Sequence, residues 1–283
     1  MKILVTGGNG QLGSALRLAA VNSSHDYIFT DIEDLDITSA EQIENLFLQE
    51  HIDIIINCAA YTAVDMAESD EPMADTINHK AASLLAEACV KHDATLIHIS
   101  TDYIFSGKAS TPYLEDSEPS PLNAYGRTKL AGERAIASSG CRSIIIRTAW
   151  LYSEFGRNFV KTMHHLTTTR PEIKVVADQF GSPTYAGDLA KAIVHIIESG
   201  QTDKLGIYHY TNEGVCSWYD FANEIARQSG NFACKINPCT TEEYSTAATR
   251  PRYSVLDKHK IVETFGIAIP EWQDSLRICI DKL

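Results

Sequence analysis

Tyr125 and Lys129 are the two side chains in this sequence whose types and spacing most clearly suggest chemistry. Residues four apart on a helix share one face, so a phenol and an ammonium group can come within reach of each other. A free tyrosine titrates near pH ~10, and a neighbouring cation favours the phenolate, so we expect Lys129 to lower the pKa of Tyr125. The pair predicts a proton donor, although the same spacing also occurs on ordinary exposed helices.

A glycine-rich loop at the start of the chain predicts a nucleotide site that could accompany this proton donor. Residues 2–6 are short, apolar and β-branched, and they are followed by Gly7, Gly8, Gly10 and Gly13. Such glycines let the chain turn tightly after a strand and approach a pyrophosphate, while the next helix offers its free N–H groups to the phosphates. The arrangement predicts a dinucleotide site, and together with Tyr125 it predicts a reductase.

We expect the cofactor to be NADH or NADPH, and one carboxylate favours NADH. Asp31 ends the second predicted strand, where an acid binds the adenosine ribose hydroxyls and repels a 2′-phosphate. We expect Asp36 and Ile37 to flank the adenine.

Strand-like and helix-like segments alternate over the first half of the chain. This alternation predicts an α/β fold, a Rossmann-type doubly wound parallel sheet with helices on both faces. After about residue 150 the elements become shorter, which predicts a smaller C-terminal α/β substrate lobe. We expect a dinucleotide-binding domain at 1–150 plus about 174–198, and a substrate lobe at about 151–173 and 199–283. The sequence also predicts one long helix over 75–92 and a capping box at 38–41.

Composition limits the partners. The formal net charge of −13 argues against nucleic acid and anionic membranes. The seven cysteines include no CxxC pair, so we expect buried thiols in a reducing compartment and no metal site. There is no apolar run of the ~18 residues that a membrane span needs. A strand directly after Met1 suggests that no signal peptide is present, and we expect a cytoplasmic protein.

Seven segments in sequence order resemble one known family. Three of them are Thr6-Gly-Gly-Asn-Gly-Gln-Leu-Gly13, Ser100-Thr-Asp-Tyr-Ile-Phe-Ser-Gly107 and Pro121-Leu-Asn-Ala-Tyr-Gly-Arg-Thr-Lys-Leu-Ala-Gly-Glu133. The others are residues 57–65, 147–152, 178–184 and 250–257. The chain resembles the extended short-chain dehydrogenase/reductase superfamily and, within it, is similar to the dTDP-4-dehydrorhamnose reductases.

The resemblance implies an NAD(P)H-dependent reduction of the C4 ketone of a dTDP-linked 4-keto-6-deoxyhexose. We expect a monomer or a homodimer. It implies the catalytic residues Thr101, Tyr125 and Lys129. Together with the loop analysis, it gives the cofactor-binding residues Gly7, Gly10, Gln11, Leu12, Gly13, Asp31, Asp36, Ile37, Ala59, Ala60, Tyr61, Asn78, Ser100, Tyr125 and Lys129. The implied substrate-binding residues are Thr101, Asp102, Tyr103, Trp150, Asn158 and Arg250.

Three alternatives stay open. Related deoxysugar 4-ketoreductases share these motifs, so the sugar and the nucleoside are not determined. A dehydratase or epimerase would resemble enzymes that place Asp-Glu after the catalytic threonine, whereas Tyr103 follows Asp102 here. A non-catalytic regulatory subunit of the methionine adenosyltransferase type is disfavoured by the intact Thr101, Tyr125 and Lys129.

Overall fold

A computed structural model describes all residues, 1–283. The strands are Lys2–Thr6 (β1), Asp26–Thr30 (β2), Ile54–Asn57 (β3), Thr95–Thr101 (β4), Arg142–Thr148 (β5), Leu151–Tyr152 (β6), Glu172–Val176 (β7), Phe180–Gly181 (β8), Thr184–Tyr185 (β9), Gly206–His209 (β10), Cys216–Ser217 (β11) and Lys235–Cys239 (β12). The helices are Gln11–Ala19 (α1), Ala40–Glu50 (α2), Val64–Ala67 (α3), Glu71–Asp75 (α4), Ala81–His92 (α5), Ala124–Ser138 (α6), Phe159–Thr169 (α7), Ala186–Glu198 (α8), Trp218–Gln228 (α9), His259–Phe265 (α10) and Trp272–Ile280 (α11). None of them has the length and apolar character to traverse a lipid bilayer.

Six parallel strands form the main sheet in the order β10-β5-β4-β3-β1-β2. Because side chains alternate along a strand, Ile3 and Val5 point into a core formed with α1, α8 and α10, while Leu4 points into a second core with α2, α5 and α6. Burial on both faces is why these strands are almost wholly apolar. The predicted doubly wound α/β sheet is confirmed.

The strand order creates a crevice at one edge of the sheet. β1 lies between β2 and β3, so the chain runs outward in opposite directions after β1 and β3. Connections that diverge at such a switch point leave a cleft at the carboxyl ends of the strands. Residues of the Gly7–Gly13 loop border this cleft, together with Cys58 and Ala60 after β3.

The remaining chain packs around an aromatic core contributed by α7, α9 and α11. Tyr152, Phe221 and Trp272 are buried in it, and β7 pairs in parallel with β12 outside the main sheet. Two strands join other sheets than the predicted domain boundaries imply. β10 joins the main sheet beside β5 because its buried residues complete the first core, whereas β7 does not return to that sheet. The division into two lobes stays a prediction.

Two local predictions need correction. The helix α2 is capped by Ser39, which accepts from Gln42 N at 3.3 Å. The Gln42 side chain bonds Asp36 N instead of closing a capping box. The predicted helix over 75–92 is interrupted by a π-helical turn at Thr76–Lys80.

Candidate active site

A cavity of about 820 Å³ opens where β1, β3 and β4 end. Its wall contains the predicted loop residues Gly7, Gly10, Gln11, Leu12 and Gly13. It also contains the predicted catalytic residues Thr101, Tyr125 and Lys129. Residues far apart in sequence thus share a cavity large enough for an organic ligand.

The glycine loop has no room for side chains. Gly7 has a φ of +64°, and a Cβ there would lie 2.8 Å from Ala59 N. A Cβ on Gly13 would collide with the Gly7 carbonyl oxygen and lie 2.6 Å from Gly8 Cα. The helix α1 then begins at Gln11. Its N-cap residue, Gly10, has no side chain to cap the helix, and its first turn contains no acidic residue. Its first N–H groups are therefore free to bind an anion, which is what a dinucleotide pyrophosphate requires.

Asp31 lies directly after β2 beside this loop. One of its carboxylate oxygens accepts from Asn9 N and the other from Ile32 N, both at 2.9 Å. Asp36 and Ile37 do not line the cavity. The Asp36 carboxylate accepts from the Thr38 backbone and hydroxyl, and Ile37 is buried in the second core.

Asn78 fixes the backbone of Tyr61, which follows β3. Asn78 Oδ1 accepts from Tyr61 N at 2.8 Å, and its Nδ2 donates to Tyr61 O and to Thr128 Oγ1, each at 3.1 Å. Ala60 lines the cavity, whereas Asn78 is buried behind it. Asn78 therefore shapes the wall without reaching the cavity.

The helix α6 carries Tyr125 and Lys129 to the cavity, and its N-cap Asn123 accepts from Gly126 N at 2.8 Å. Burial raises the pKa of Tyr125 to about 12. A hydrogen bond with Thr101 lowers that pKa and the charge of Asp102 raises it. At neutral pH Tyr125 is thus a protonated phenol, ready to donate.

Lys129 is fully buried, and burial lowers its pKa to about 8. Its Nζ donates to Ile99 O at 2.6 Å and lies 3.3 Å from His98 Nε2. The prediction that Lys129 lowers the pKa of Tyr125 is wrong for this arrangement, because the ammonium is engaged by β4 and burial dominates the phenol.

Ser100 lines the cavity but its hydroxyl donates to Glu133, which also pairs with Arg147 at 2.8 Å. Asp102 is different. Its Oδ2 has no hydrogen-bond partner although the residue is only 1% exposed, and burial raises its pKa to about 6. Tyr103 packs edge-on against Tyr125, with ring centroids 5.5 Å apart. Asp102 is thus a buried acceptor at the cavity with one oxygen available.

Trp150 adopts the left-handed backbone region, with φ of +49°, and stacks on Trp218 at a centroid distance of 3.5 Å. Asn158 caps α7 by accepting from Lys161 N at 3.0 Å and donates to Gln11 Oε1 at 2.9 Å. All three predicted substrate residues of this region, Trp150, Asn158 and Arg250, line the cavity.

Arg250 is engaged by a carboxylate. Its Nη2 donates to Asp65 Oδ2 at 2.6 Å and its Nη1 to Asp65 Oδ1 at 3.1 Å. The pair keeps the pKa of Asp65 below its ordinary value. Any contact between Arg250 and a ligand phosphate must share the guanidinium with Asp65.

Sequence reasoning missed several lining residues. Trp218, Arg157, Lys174 and Gln179 all border the cavity. A capping box formed by Ser217 and Asp220 marks the start of α9 in the sequence. No local pattern indicates that Trp218, which follows Ser217, packs against Trp150.

A family model described as the RmlD substrate binding domain matches residues 1–283. The chain is 41% identical, over 98% of its length and 97% of the relative, to dTDP-4-dehydrorhamnose reductase of Aggregatibacter actinomycetemcomitans. It superposes with a TM-score of 0.94 on a dTDP-4-dehydrorhamnose reductase from Clostridium acetobutylicum, at 43% identity over 99% of both chains.

A second solved structure, from Bacillus anthracis, is a dTDP-4-dehydrorhamnose reductase in complex with NADP. It matches with a TM-score of 0.94 and 39% identity, covering 100% of this chain and 99% of that one. The match of the family model to the entire chain, with relatives this similar over nearly their whole length, shows that the chain belongs to the RmlD family of dTDP-4-dehydrorhamnose reductases.

Proposed function

We propose that the protein reduces the C4 ketone of dTDP-4-dehydro-6-deoxy-L-mannose to give dTDP-L-rhamnose, with NADH or NADPH as reductant. The observation that carries the proposal is the convergence of the glycine loop, Thr101, Tyr125 and Lys129 on one cavity. Family membership supports the substrate class.

The loop fits a dinucleotide, because Gly7 and Gly13 allow a tight turn in which a Cβ would collide with the backbone, and the start of α1, which has no side-chain cap, faces the cavity. A nicotinamide held there would supply the hydride for the ketone carbon. The chain itself must orient the carbonyl, donate a proton to its oxygen and exclude water.

Tyr125 donates that proton. Its raised pKa keeps the phenol protonated across the physiological range, and an alkoxide is a much stronger base than a phenolate, so the transfer runs toward the product oxygen. Thr101 lowers the pKa of Tyr125 against the effect of burial and so favours the phenolate left behind. In the structure the Thr101 hydroxyl donates to Asp102 Oδ1 at 3.1 Å. Lys129 supplies positive charge to the same buried wall, so long as it remains an ammonium.

The cavity is cationic within an acidic protein. Lys129, Arg157, Lys174 and Arg250 line it, whereas Asp102 is the one acid among its lining residues. Such a local excess of positive charge suits a ligand that carries a diphosphate. Asp102 Oδ2, which lacks a partner, is placed to accept from a sugar hydroxyl.

For the cofactor, Asp31 favours NADH. Two backbone N–H groups fix its carboxylate beside the glycine loop, where it would accept from ribose hydroxyls and repel a 2′-phosphate. The relative from Bacillus anthracis was solved with NADP, so we expect a preference between the two rather than exclusion of NADPH. The monomeric or homodimeric state and the cytoplasmic setting stay predictions.

The test is a steady-state assay with dTDP-4-dehydro-6-deoxy-L-mannose and either NADH or NADPH. We expect one reduced nicotinamide to be consumed for each dTDP-L-rhamnose formed, and lower kcat/KM with the UDP- and GDP-linked ketones. Conversion of the ketone to an isomer or a dehydrated sugar, without net consumption of NAD(P)H, would indicate a dehydratase or epimerase. Dinucleotide binding without turnover, together with co-purification of a larger enzyme, would indicate a regulatory subunit.

A further inference from the structure

Four buried polar side chains form a continuous line behind the cavity wall, from the entrance of the glycine loop to Lys129. Thr6 Oγ1 lies 2.7 Å from Asn57 Oδ1, and Asn57 Nδ2 lies 3.0 Å from His98 Nδ1. The line ends where His98 Nε2 lies 3.3 Å from Lys129 Nζ. None of the four residues is more than 2% exposed, so each polar atom depends on its neighbours in the line.

The register of the main sheet produces this line. Thr6 is the direct partner of Asn57 across β1 and β3, and Asn57 is the direct partner of His98 across β3 and β4. Partners in register have side chains on the same face of the sheet. Lys129 then reaches that face from α6.

The hydrogens in the line can be arranged in only two ways. Burial and the charge of Lys129 hold the pKa of His98 well below its ordinary value, so its ring is neutral, with one donating and one accepting nitrogen. An ammonium only donates, so a charged Lys129 requires an accepting His98 Nε2 and a hydrogen on Nδ1. Asn57 must then turn its oxygen to His98 and its amide nitrogen to Thr6.

The opposite arrangement suits an uncharged lysine. With Asn57 Oδ1 facing Thr6 and its Nδ2 facing His98, as the structure has them, the His98 hydrogen is on Nε2 and must donate to a neutral amine. Conversion between the two states would require a half-turn of the Asn57 amide, and the structure holds the orientation that suits the uncharged lysine. The line has two self-consistent states, and they differ in the charge on the cavity wall.

We propose that His98 is a positioning residue for Lys129: its ring holds Nζ at the cavity wall and, with Asn57 setting which ring nitrogen accepts, determines how readily Lys129 keeps its charge. The inference rests on the proposed role of Lys129 in the reduction. Thr6 directly precedes Gly7, and Cys58 N donates to Thr6 O at 3.2 Å, so the same strand ends hold the line and the glycine loop.

The other groups around Lys129 are consistent with this role. Glu133, one turn further along α6, and Cys58 both raise the pKa of Lys129, against the lowering by burial. Glu133 is already paired with Arg147, and Tyr125 is neutral at physiological pH. His98 is thus the uncharged side chain in contact with Lys129 Nζ, beside the Ile99 carbonyl that accepts from it.

The experiment compares His98→Leu with His98→Gln, which keeps an accepting oxygen. For His98→Leu we expect kcat to fall about tenfold and KM for the nucleotide sugar to stay within about twofold. The alkaline limb of the kcat profile should move about one pH unit lower, because the charged state of the line, in which Asn57 has turned and His98 Nε2 accepts from the ammonium, is lost. His98→Gln should restore most of kcat and the limb. Asn57→Leu should move the limb in the same direction.

A second readout does not depend on turnover. The lowered pKa of Lys129 means that the unfolded chain binds the lysine proton more readily, so this group adds stability as pH rises from about 8 toward the ordinary value of 10.5. In His98→Leu this increase in the free energy of unfolding should begin about one pH unit lower. In Lys129→Met the increase should be absent. His209→Leu is the control, since His209 is equally buried but contacts Arg147 and Asp257 O rather than Lys129.

The two readouts separate the two proposals. A shifted stability profile without any reductase activity would overturn the proposed function and keep the coupling of His98 to Lys129. An active enzyme in which His98→Leu moves neither pH profile would overturn the role of His98 and keep the function. If His98→Leu does not fold, His98→Met and Asn57→Leu make the same comparison.

Discussion

At the scale of single residues, burial decides the chemistry of this cavity. It raises the pKa of Tyr125 to about 12 and of Asp102 to about 6, and lowers that of Lys129 to about 8. The uncharged form is favoured in each case, as expected when a side chain leaves water. A phenol that holds its proton is a suitable acid for a strongly basic alkoxide.

Tyr125→Phe tests the proton donor. We expect kcat to fall by about 10² to 10⁴, the usual contribution of a general acid, while the dissociation constant for NADH stays within about twofold. The measurements are steady-state turnover and quenching of protein fluorescence. Tyr208→Phe is the control, because this tyrosine of β10 donates its hydroxyl to Lys204 O and does not line the cavity. Full activity in Tyr125→Phe would remove this residue from the mechanism.

Asp102→Asn tests the acceptor that lacks a partner. The folded chain holds the Asp102 proton up to a pH of about 6, whereas the unfolded chain releases it near 3.8. This carboxyl therefore stabilises the fold less as pH rises between those values, by about 3 kcal/mol in all for a shift of about two units.

In Asp102→Asn that loss should disappear from the free energy of unfolding measured by denaturant titration from pH 4 to 7. We also expect KM for the nucleotide sugar to rise, since an amide cannot replace an anionic acceptor. An unchanged pH dependence of stability would show that Asp102 is ionised normally in the fold.

At the scale of elements, the contact between β1 and α1 depends on the absence of side chains. Gly13 lies directly against the Gly7 carbonyl and Gly8. A Cβ built on Gly10 would instead have one neighbour, the Gly7 carbonyl oxygen, at 3.2 Å. The helix can begin so close to the sheet only because Gly13 presents no Cβ.

Gly13→Ala should therefore push α1 away from β1 and lower the free energy of unfolding by about 1–3 kcal/mol, as overpacking does. Gly10→Ala is the matched control and should change stability by less than about 1 kcal/mol, since a small displacement accommodates its Cβ. Thermal unfolding of both variants makes the comparison. Equal stability of the two would contradict the packing argument.

At the scale of the whole molecule, one side chain joins the two halves of the cavity. Gln11 Oε1, at the start of α1, accepts from Ser153 Oγ at 3.1 Å and from Asn158 Nδ2 at 2.9 Å. Asn158 in turn caps α7. The dinucleotide loop and the helix that begins the aromatic core are thereby linked next to the cavity.

Gln11→Ala and Gln11→Glu separate this link from the binding of phosphate. Gln11→Ala removes the acceptor that Ser153 and Asn158 share, while Phe155 O and Ser153 O still accept from them. We therefore expect the unfolding free energy to fall by about 1 kcal/mol. Gln11→Glu keeps an acceptor but puts a negative charge at the N-terminus of α1, so its stability should stay near wild type while NADH binds more weakly. Equal NADH affinity in Gln11→Glu and the wild type would argue against phosphate binding at this helix.

The sequence by itself determined the parallel sheet, the glycine loop and the position of Tyr125 on a helix. These follow from local rules, since apolar strands, spaced glycines and helical spacing each act over a few residues. The sequence also predicted that Thr101, Tyr125 and the loop lie at the same edge of the sheet, because the carboxyl ends of parallel strands share that edge.

Only the tertiary structure decided which charges the cavity side chains carry and what each polar atom contacts. Lys129 could be assigned to the face of Tyr125 from spacing, but its engagement by Ile99 O and His98 depends on the register of β4. Asp36, expected beside the adenine, is occupied by its own turn. Burial and long-range pairing are properties of the folded whole, so no local pattern of residues could report them.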